Sequence, residues 1–464
     1  MLNLRNESYS SSRVFIRDLG PFEEAEIEIK PLTIFIGRNS SGKSYLLYTL
    51  WALTSTEPDF ERLGELTEEL GAADIAERII RYVAEGKKRN ARDNIRKLVE
   101  IGIDTLPHAL SPSLEKKLRG VFLTELENIV RRGAHNTVIT VEGPLAAAEF
   151  MISRDGVKGK NIKVYKEFIE KLNVEILRPR LLRIKTERGG RFEEEIASIR
   201  DVAKIMVELL ASYIFSALHP FFVSEYFSIL LPDSRAGITR TLLKPYLSPE
   251  VVESISYVDN YYIRLYFRLA EELGKGNVEL ETIESILREL GCKRIGARYE
   301  AGAYTVYVDM WNDISLPIIR TPSGIRETLV VALALASKSV PLVFLEEPES
   351  HLHPRAQLVL AKLISSSINK YEKSVILTTH SDYFVAAINN LIMASKLSRE
   401  KLEDLNLREW ETLRPDNVAA YLVKVDEERG VAKLERLKIT EEGIPEDELA
   451  SVAEELAYQR ALLH

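Results

Sequence analysis

Along the first forty residues the spacing of apolar positions changes character twice. In "AEIEIKPLTIFIG", Ile27 and Ile29 alternate with Glu26, Glu28 and Lys30, the period of a half-buried strand. The run then turns continuously apolar through Leu32, Ile34, Phe35 and Ile36, which predicts a central strand covered on both faces. "RVFIRDLG" reads as a preceding strand, joined through a turn at Pro21, and "SYLLYTLWAL" as the helix that follows.

Residues 57–135 are heavily charged and helical in pattern, interrupted by Pro and Gly, without the sustained heptads of a coiled-coil arm. Residues 136–191 are mixed, with strand-like "TVITVEG" and "EILRPRLLRIKT". "FEEEIASIRDVAKIMVELLASYIF" reads as a helix leading into the aromatic, strand-like "PFFVSEYFSILLPDSRAG". Residues 248–291 are again mostly helical, and "AYTVYVDM" and "ISLPIIR" return to sheet. The last third alternates "SGIRETLVVALALA", "PLVFLEE", "PRAQLVLAKLISSSI" and "SVILTTHS", helix and strand in turn, as a parallel sheet with helical crossovers requires. "VAAYLVKVDE" and "AKLERLKIT" predict a closing hairpin, followed by an acidic helical tail. No internal repeat or low-complexity linker is evident.

Composition narrows the class. The 464 residues, 45% hydrophobic and 28% charged, describe a soluble globular chain with substantial cores. No apolar run approaches the ~20 residues of a membrane span, and the start of the chain lacks the pattern of a secretion signal. A single cysteine, Cys292, excludes an intramolecular disulfide and a Cys-rich zinc site, so the cytoplasm is the expected compartment. The net charge of −8 argues against a chain coated in nucleic-acid-binding charge but permits a local basic patch. Only two glutamines, Gln357 and Gln459, stand among many Glu, Lys and Arg, a balance that leans towards heat adaptation.

The first chemical signal is "GRNSSGKS", Gly37 to Ser44, which fits G-x-x-x-x-G-K-[ST] between a buried-type strand and a helix. Glycines let the loop aim its backbone N–H groups at phosphate oxygens, and the helix adds its positive N-terminus. Gly37, Arg38, Asn39, Ser40, Ser41, Gly42, Lys43, Ser44 and Tyr45 are the expected ATP-binding segment. Lys43 would bridge the β- and γ-phosphates, and Ser44 would ligate Mg²⁺.

"FLEEPESHLHP" admits two readings. As the end of an apolar strand, it gives Glu346 to Mg²⁺ and Glu347 to the attacking water. As a metal cluster, it offers His351, His353 and Glu349 to zinc, with distant His380 as a further donor. Pro348 and Pro354 favour a loop and a helix start, and the local ligand count is short for zinc. Two companions weigh towards the ATP reading. Ser323 and Gly324 stand at a predicted helix N-terminus, ready for an anion, and His380 ends the apolar strand "SVILTTHS".

In this order the chain resembles the ABC-type ATPases of the SMC/RecF/OLD group, most of all the stand-alone AAA-type ATP-binding proteins related to OLD. "SGIRE" stands at the ABC signature, "LEEPESHLHP" at Walker B and the D-loop, "TTHS" at the switch histidine, and "ILLPDSRAG" at a Pro-x-x-Arg loop. Glu346 stands where many relatives carry Asp, and Ile325 replaces the second signature glycine. With no glutamine for a Q-loop, that work falls to Asp233, Ser234 or Arg235.

The resemblance implies an α/β P-loop NTPase, ABC-ATPase-like, with a mixed sheet core and a mostly helical insertion. The expected divisions are 1–56 with Walker A, 57–200 for the insertion, 201–240 for a core helix and the Pro-x-x-Arg loop, 241–295 for a helical subdomain, and 296–464 for the rest of the core. It also implies Mg-ATP as cofactor and Glu347 and His380 as catalytic residues. Two copies would form a head-to-tail homodimer, Ser323 and Gly324 of one closing over ATP held by the other. Basic residues Arg178, Arg180, Arg183 and Lys185 in the insertion suggest DNA contact; a separately encoded effector protein is the alternative partner. OLD-type nucleases carry an appended TOPRIM domain, whose metal site needs Asp-x-Asp. None follows His380, so this chain alone is not expected to cut DNA.

Overall fold

The computed structural model of the protein describes residues 12–164, 172–178, 181–186, 191–195, 218, 220–222, 224–241, 256–300, 302–446 and 458–462. Strands β1 (Arg13–Leu19), β2 (Phe22–Glu28) and β3 (Leu32–Ile36) come first, then helix α1 (Lys43–Ser55). The sequence reading ran β2 and β3 together as one strand. The backbone breaks at Ile29-Lys30-Pro31, where proline has no N–H to donate to a ladder. The half-buried alternation belongs to β2 and the wholly buried run to β3.

Helices α2 (Phe60–Glu69), α3 (Ala72–Ala84) and α4 (Lys88–Phe122) follow, then strands β4 (Thr137–Glu142), β5 (Ala146–Ser153), β6 (Gly156–Val164), β7 (Leu172–Arg178), β8 (Leu181–Thr186) and β9 (Arg191–Glu195). The insertion expected to be mostly helical is therefore helical only to Phe122; beyond a short 3₁₀ turn, every described element up to Glu195 is a strand. The helix read from Phe192 begins instead as β9, and residues 196–217 lie outside the described residues. Of the basic candidates, Arg178 ends β7, Arg183 and Lys185 lie on β8, and Arg180 is outside the described residues.

The remaining core comprises β10 (Ser228–Leu231), α5 (Arg235–Thr241), α6 (Tyr257–Gly274), α7 (Leu280–Glu289), β11 (Cys292–Glu300), β12 (Ala303–Met310), β13 (Ser315–Pro317) and α8 (Ser323–Ala336). Then come β14 (Leu342–Glu346), α9 (Pro354–Tyr371), β15 (Ser374–Thr379), α10 (Asp382–Ala394), and the antiparallel hairpin β16 (Val418–Asp426) and β17 (Val431–Leu437). No helix among the described residues is long and apolar enough to cross a membrane.

The chain divides into two compact units, residues 1–29 with 52–225, and residues 30–51 with 226–464. The expected 1–56 segment is thus split, β1 and β2 grouping with the insertion. In the first unit β2, β1, β4, β5 and β6 pair antiparallel in that order. Gly159 of β6 lies so close to α4 that a Cβ there would meet the Pro107 carbonyl at 2.8 Å.

In the second unit β10, β14, β15, β3 and β16 are parallel neighbours in that order, with β17 antiparallel at the end. β3, β14 and β15 are buried at every position. Each fully buried Leu, Ile, Val or Phe there contributes about 1.5–3 kcal/mol, which fixes the carboxyl ends of these strands as a rigid platform. Ligands of open parallel sheets bind beyond those ends.

Candidate functional site

The whole candidate site lies in the second unit, beyond β3, β14 and β15. From β3 the chain enters the loop at Gly37, where a Cβ would stand 2.7 Å from the carbonyl of Val423 on β16, so glycine is required. Ser40 and Gly42 take positive φ values of 61° and 103°, and α1 begins at Lys43. Arg38, Asn39 and Ser40 are exposed at the tip, Ser41 and Lys43 are buried, and Ser44 and Tyr45 are half-buried.

Lys43 Nζ donates to the carbonyls of Gly37 at 2.9 Å and Arg38 at 2.8 Å. An ammonium has three N–H groups, so one remains for a phosphate oxygen. Burial lowers the Lys43 pKa, while Glu347, Glu349 and Glu346 oppose that shift and favour the cation.

Ser44 Oγ donates to Glu346 Oε1 at 2.5 Å, and Tyr48 OH to Glu346 Oε2 at 2.6 Å. The backbone N–H of Asp233 donates to the same Oε2 at 3.2 Å. Glu346 therefore ends β14 with both carboxylate oxygens hydrogen-bonded, beside Ser44, the other residue expected to ligate the metal. Tyr48 was not singled out from the sequence, although its i+4 spacing from Ser44 places both on one face of α1.

Glu347 has left the strand: its φ is +41°. Its N–H donates to Thr378 Oγ1 at 3.2 Å, and its Oε1 lies 3.2 Å from His380 Nδ1. The structure thus brings the two expected catalytic side chains together. Glu349, a zinc candidate in the alternative reading, instead joins the D-loop to the end of β15. Its Oε1 accepts from Thr379 Oγ1 at 2.5 Å and from the His380 N–H at 3.3 Å. Burial raises its pKa.

The two histidines of "HLH" serve different partners. His353 caps α9, its Nδ1 accepting from Arg355 N at 3.4 Å, with Pro354 in the first turn as the sequence suggested. His351, at φ +59°, places Nδ1 3.0 Å from Glu327 Oε1. Ser323 and Gly324 open α8 as expected, and a Cβ on Gly324 would come within 3.2 Å of the His351 carbonyl. Of the three residues proposed for the Q-loop, Asp233 meets Glu346 through its backbone, whereas the side chain of Arg235 is wholly buried.

Oxygen donors only, a hydroxyl and a carboxylate, converge at Ser44 and Glu346. That donor set suits a hard cation that keeps several waters, such as Mg²⁺. The glycine-lined loop ahead of α1 and the buried Lys43 suit a polyphosphate.

A 97-residue stretch is 31% identical to the OLD nuclease of Thermus scotoductus, covering 20% of this chain and only 18% of that protein. Among solved structures, an SMC head bound to the C-winged helix domain of ScpA aligns with 92% of this chain and 97% of its own, at 11% identity and a TM-score of 0.44. The SMC head domain of Thermotoga maritima aligns at 10% identity over 92% of this chain and 98% of its own, with a TM-score of 0.35. The AAA ATPase domain model matches residues 12–204 and 223–385, the greater part of the sequence, and the chain belongs to that family.

Proposed function

We propose that this chain is a Mg²⁺-dependent ATP hydrolase whose two copies close head to tail on ATP. The observation that carries this reading is the double pairing beyond the sheet: Ser44 with Glu346 at 2.5 Å, and Glu347 with His380 at 3.2 Å. On this reading Ser44 and Glu346 would hold Mg²⁺, whose charge when bound offsets the negative charge of the phosphates. Lys43 and the N-terminal turn of α1 hold the phosphates. The carboxylate of Glu347 orients a water and accepts its proton, and His380 steadies Glu347 and the γ-phosphate oxygens.

Ser323 and Gly324 in the partially exposed first turn of α8 offer N–H groups and a helix dipole to the γ-phosphate of a second copy. ATP then favours the closed dimer and hydrolysis releases it, a two-state switch biased by ligand. ATP turnover with and without Mg²⁺ tests the reading; a Mg²⁺-independent rate, or none, overturns it.

For the partner of the switch we favour DNA. Arg89, Arg92 and Arg96 are exposed at i, i+3 and i+7 near the start of α4, hence on one helix face, and Arg178, Arg183 and Lys185 lie on the β7–β8 pair. Phosphate contacts of this kind weaken steeply with salt. A salt series of duplex binding is expected to show that slope. Absence of binding at low salt, with a protein captured instead, would move the role to an effector protein.

A further inference from the structure

Beneath the catalytic turn lies an arginine that faces no solvent. Arg235 is 0% exposed, and Glu327, on the first turns of α8, is 1% exposed. Arg235 Nη1 donates to the carbonyls of Pro232 and Glu346, both at 2.7 Å, and Nη2 donates to the carbonyl of Glu347 at 2.9 Å. Its Nη2 also lies 3.8 Å from Glu327 Oε2, while His351 Nδ1 approaches Oε1 at 3.0 Å. Neither oxygen of Glu327 makes an aligned hydrogen bond among the described residues.

This arrangement is costly unless it holds something in place. A buried ion pair often stabilises a fold less than apolar residues of the same volume. A non-glycine residue in the left-handed region, as Glu347 is, costs about 1–3 kcal/mol. The peptide of Glu347 is gripped at both ends, its N–H by Thr378 and its carbonyl by Arg235. Arg235 needs a counter-charge to stay buried, and Glu327 supplies it from the helix that carries Ser323 and Gly324. His351 links the same carboxylate to the D-loop.

We propose that Arg235 is a positioning residue for ATP hydrolysis, held by Glu327, so that the signature turn of α8 and the placement of the Glu347 carboxylate move as one unit. Arg235 touches neither phosphate nor water; it acts through the backbone of Glu347. A second copy pressing on the start of α8 would then be felt at Glu347 of the same chain. The inference rests on the reading of Glu347 as the residue that activates water.

The test is a mutant cycle on ATP turnover. Arg235→Lys keeps the cation, but a single Nζ cannot stand at both the Nη1 and Nη2 positions that reach the three carbonyls. A misplacement of about 1 Å costs on the order of 100-fold in rate, so kcat should fall by about that factor while the KM for ATP stays within about threefold. Glu327→Gln keeps the shape and removes the counter-charge, and kcat should fall about tenfold on the same argument. Combined with Glu347→Gln, neither change should lower the rate further, because residues acting through one group are not additive.

If Arg235→Lys fails to fold, Glu327→Gln carries the test alone. A slow Glu347→Gln beside wild-type rates in both other variants overturns the proposal and leaves the functional reading intact. Losses that multiply in the double variants also overturn it, as does a KM that rises in step with the fall in kcat. A wild-type rate in Glu347→Gln overturns the proposal together with the reading beneath it.

Discussion

Ser44 and Glu346, 302 positions apart in the chain, meet through a 2.5 Å hydrogen bond between the first turn of α1 and the last residue of β14. Glutamate reaches far enough to take Tyr48 at 2.6 Å with its other oxygen. Glu346→Asp would withdraw the carboxylate by one methylene, about 1.5 Å, and cannot keep both bonds. The Mg²⁺ concentration for half-maximal turnover should rise about tenfold, the scale on which supporting contacts tune metal affinity. A Mg²⁺ titration of the ATPase checks this. An unchanged midpoint would remove Glu346 from the metal's ligands.

Lys43→Ala removes a buried cation whose charge three nearby carboxylates favour. On the proposed reading the β- and γ-phosphates would then lose their bridge, and the carboxylates their counter-charge. Turnover should fall by at least about 100-fold, the scale of losing one preorganised electrostatic contact. Full turnover with ATP affinity retained would sink the assignment of Gly37–Ser44 as a phosphate cradle.

Glu347→Gln preserves shape but cannot accept a proton. This variant should bind ATP, hydrolyse it slowly and accumulate as a dimer only when ATP is present. Light scattering across an ATP series reads the mass directly. A monomer at every concentration would count heavily against the sandwiched dimer.

Some of this geometry was legible in the sequence and some was not, for a physical reason. The cradle is local: eight consecutive residues between an apolar strand and a helix carry their own instructions. The ends of β14 and β15 were legible because their apolar centres, Leu342 to Leu345 and Val375 to Leu377, stop at polar residues. By contrast, the contact of Arg235 with Glu327 depends on how β10, β14 and α8 are threaded, which no periodicity reports. In the insertion, β5 reads "AAAEFMIS": Ala146, Ala148, Phe150 and Ile152 are the buried positions, but Ala147 and Met151 on the other face are apolar too, so the alternation is too weak to separate strand from helix. The break between β2 and β3 was marked by Pro31, but Ile27, Ile29, Leu32 and Ile34 carry a strand-like pattern across it.

Lys373 is 1% exposed, beside the C-terminal end of α8. Its Nζ donates to the carbonyl of Ser337 at 2.6 Å and to that of Val340. Burial pulls its pKa from the ordinary 10.5 down to about 7; Glu272 opposes the shift and Arg268 adds to it. A lowered lysine pKa means that the unfolded chain binds more protons than the folded one between about 7 and 10.5. The contribution of this group to stability therefore rises with pH across that window and is lowest below it. Replacing Lys373 with Met removes the titration together with two hydrogen bonds. The variant's absolute stability is thus uninformative, but its slope against pH is not. From about pH 7 to about pH 9 the difference in proton binding amounts to about 2 kcal/mol, so the wild-type melting temperature should gain about 4–8 °C on that of Lys373→Met. Scanning calorimetry of both proteins across that range checks it. Parallel curves would mean that the ammonium keeps its ordinary pKa, and that the two carbonyls alone compensate for its burial.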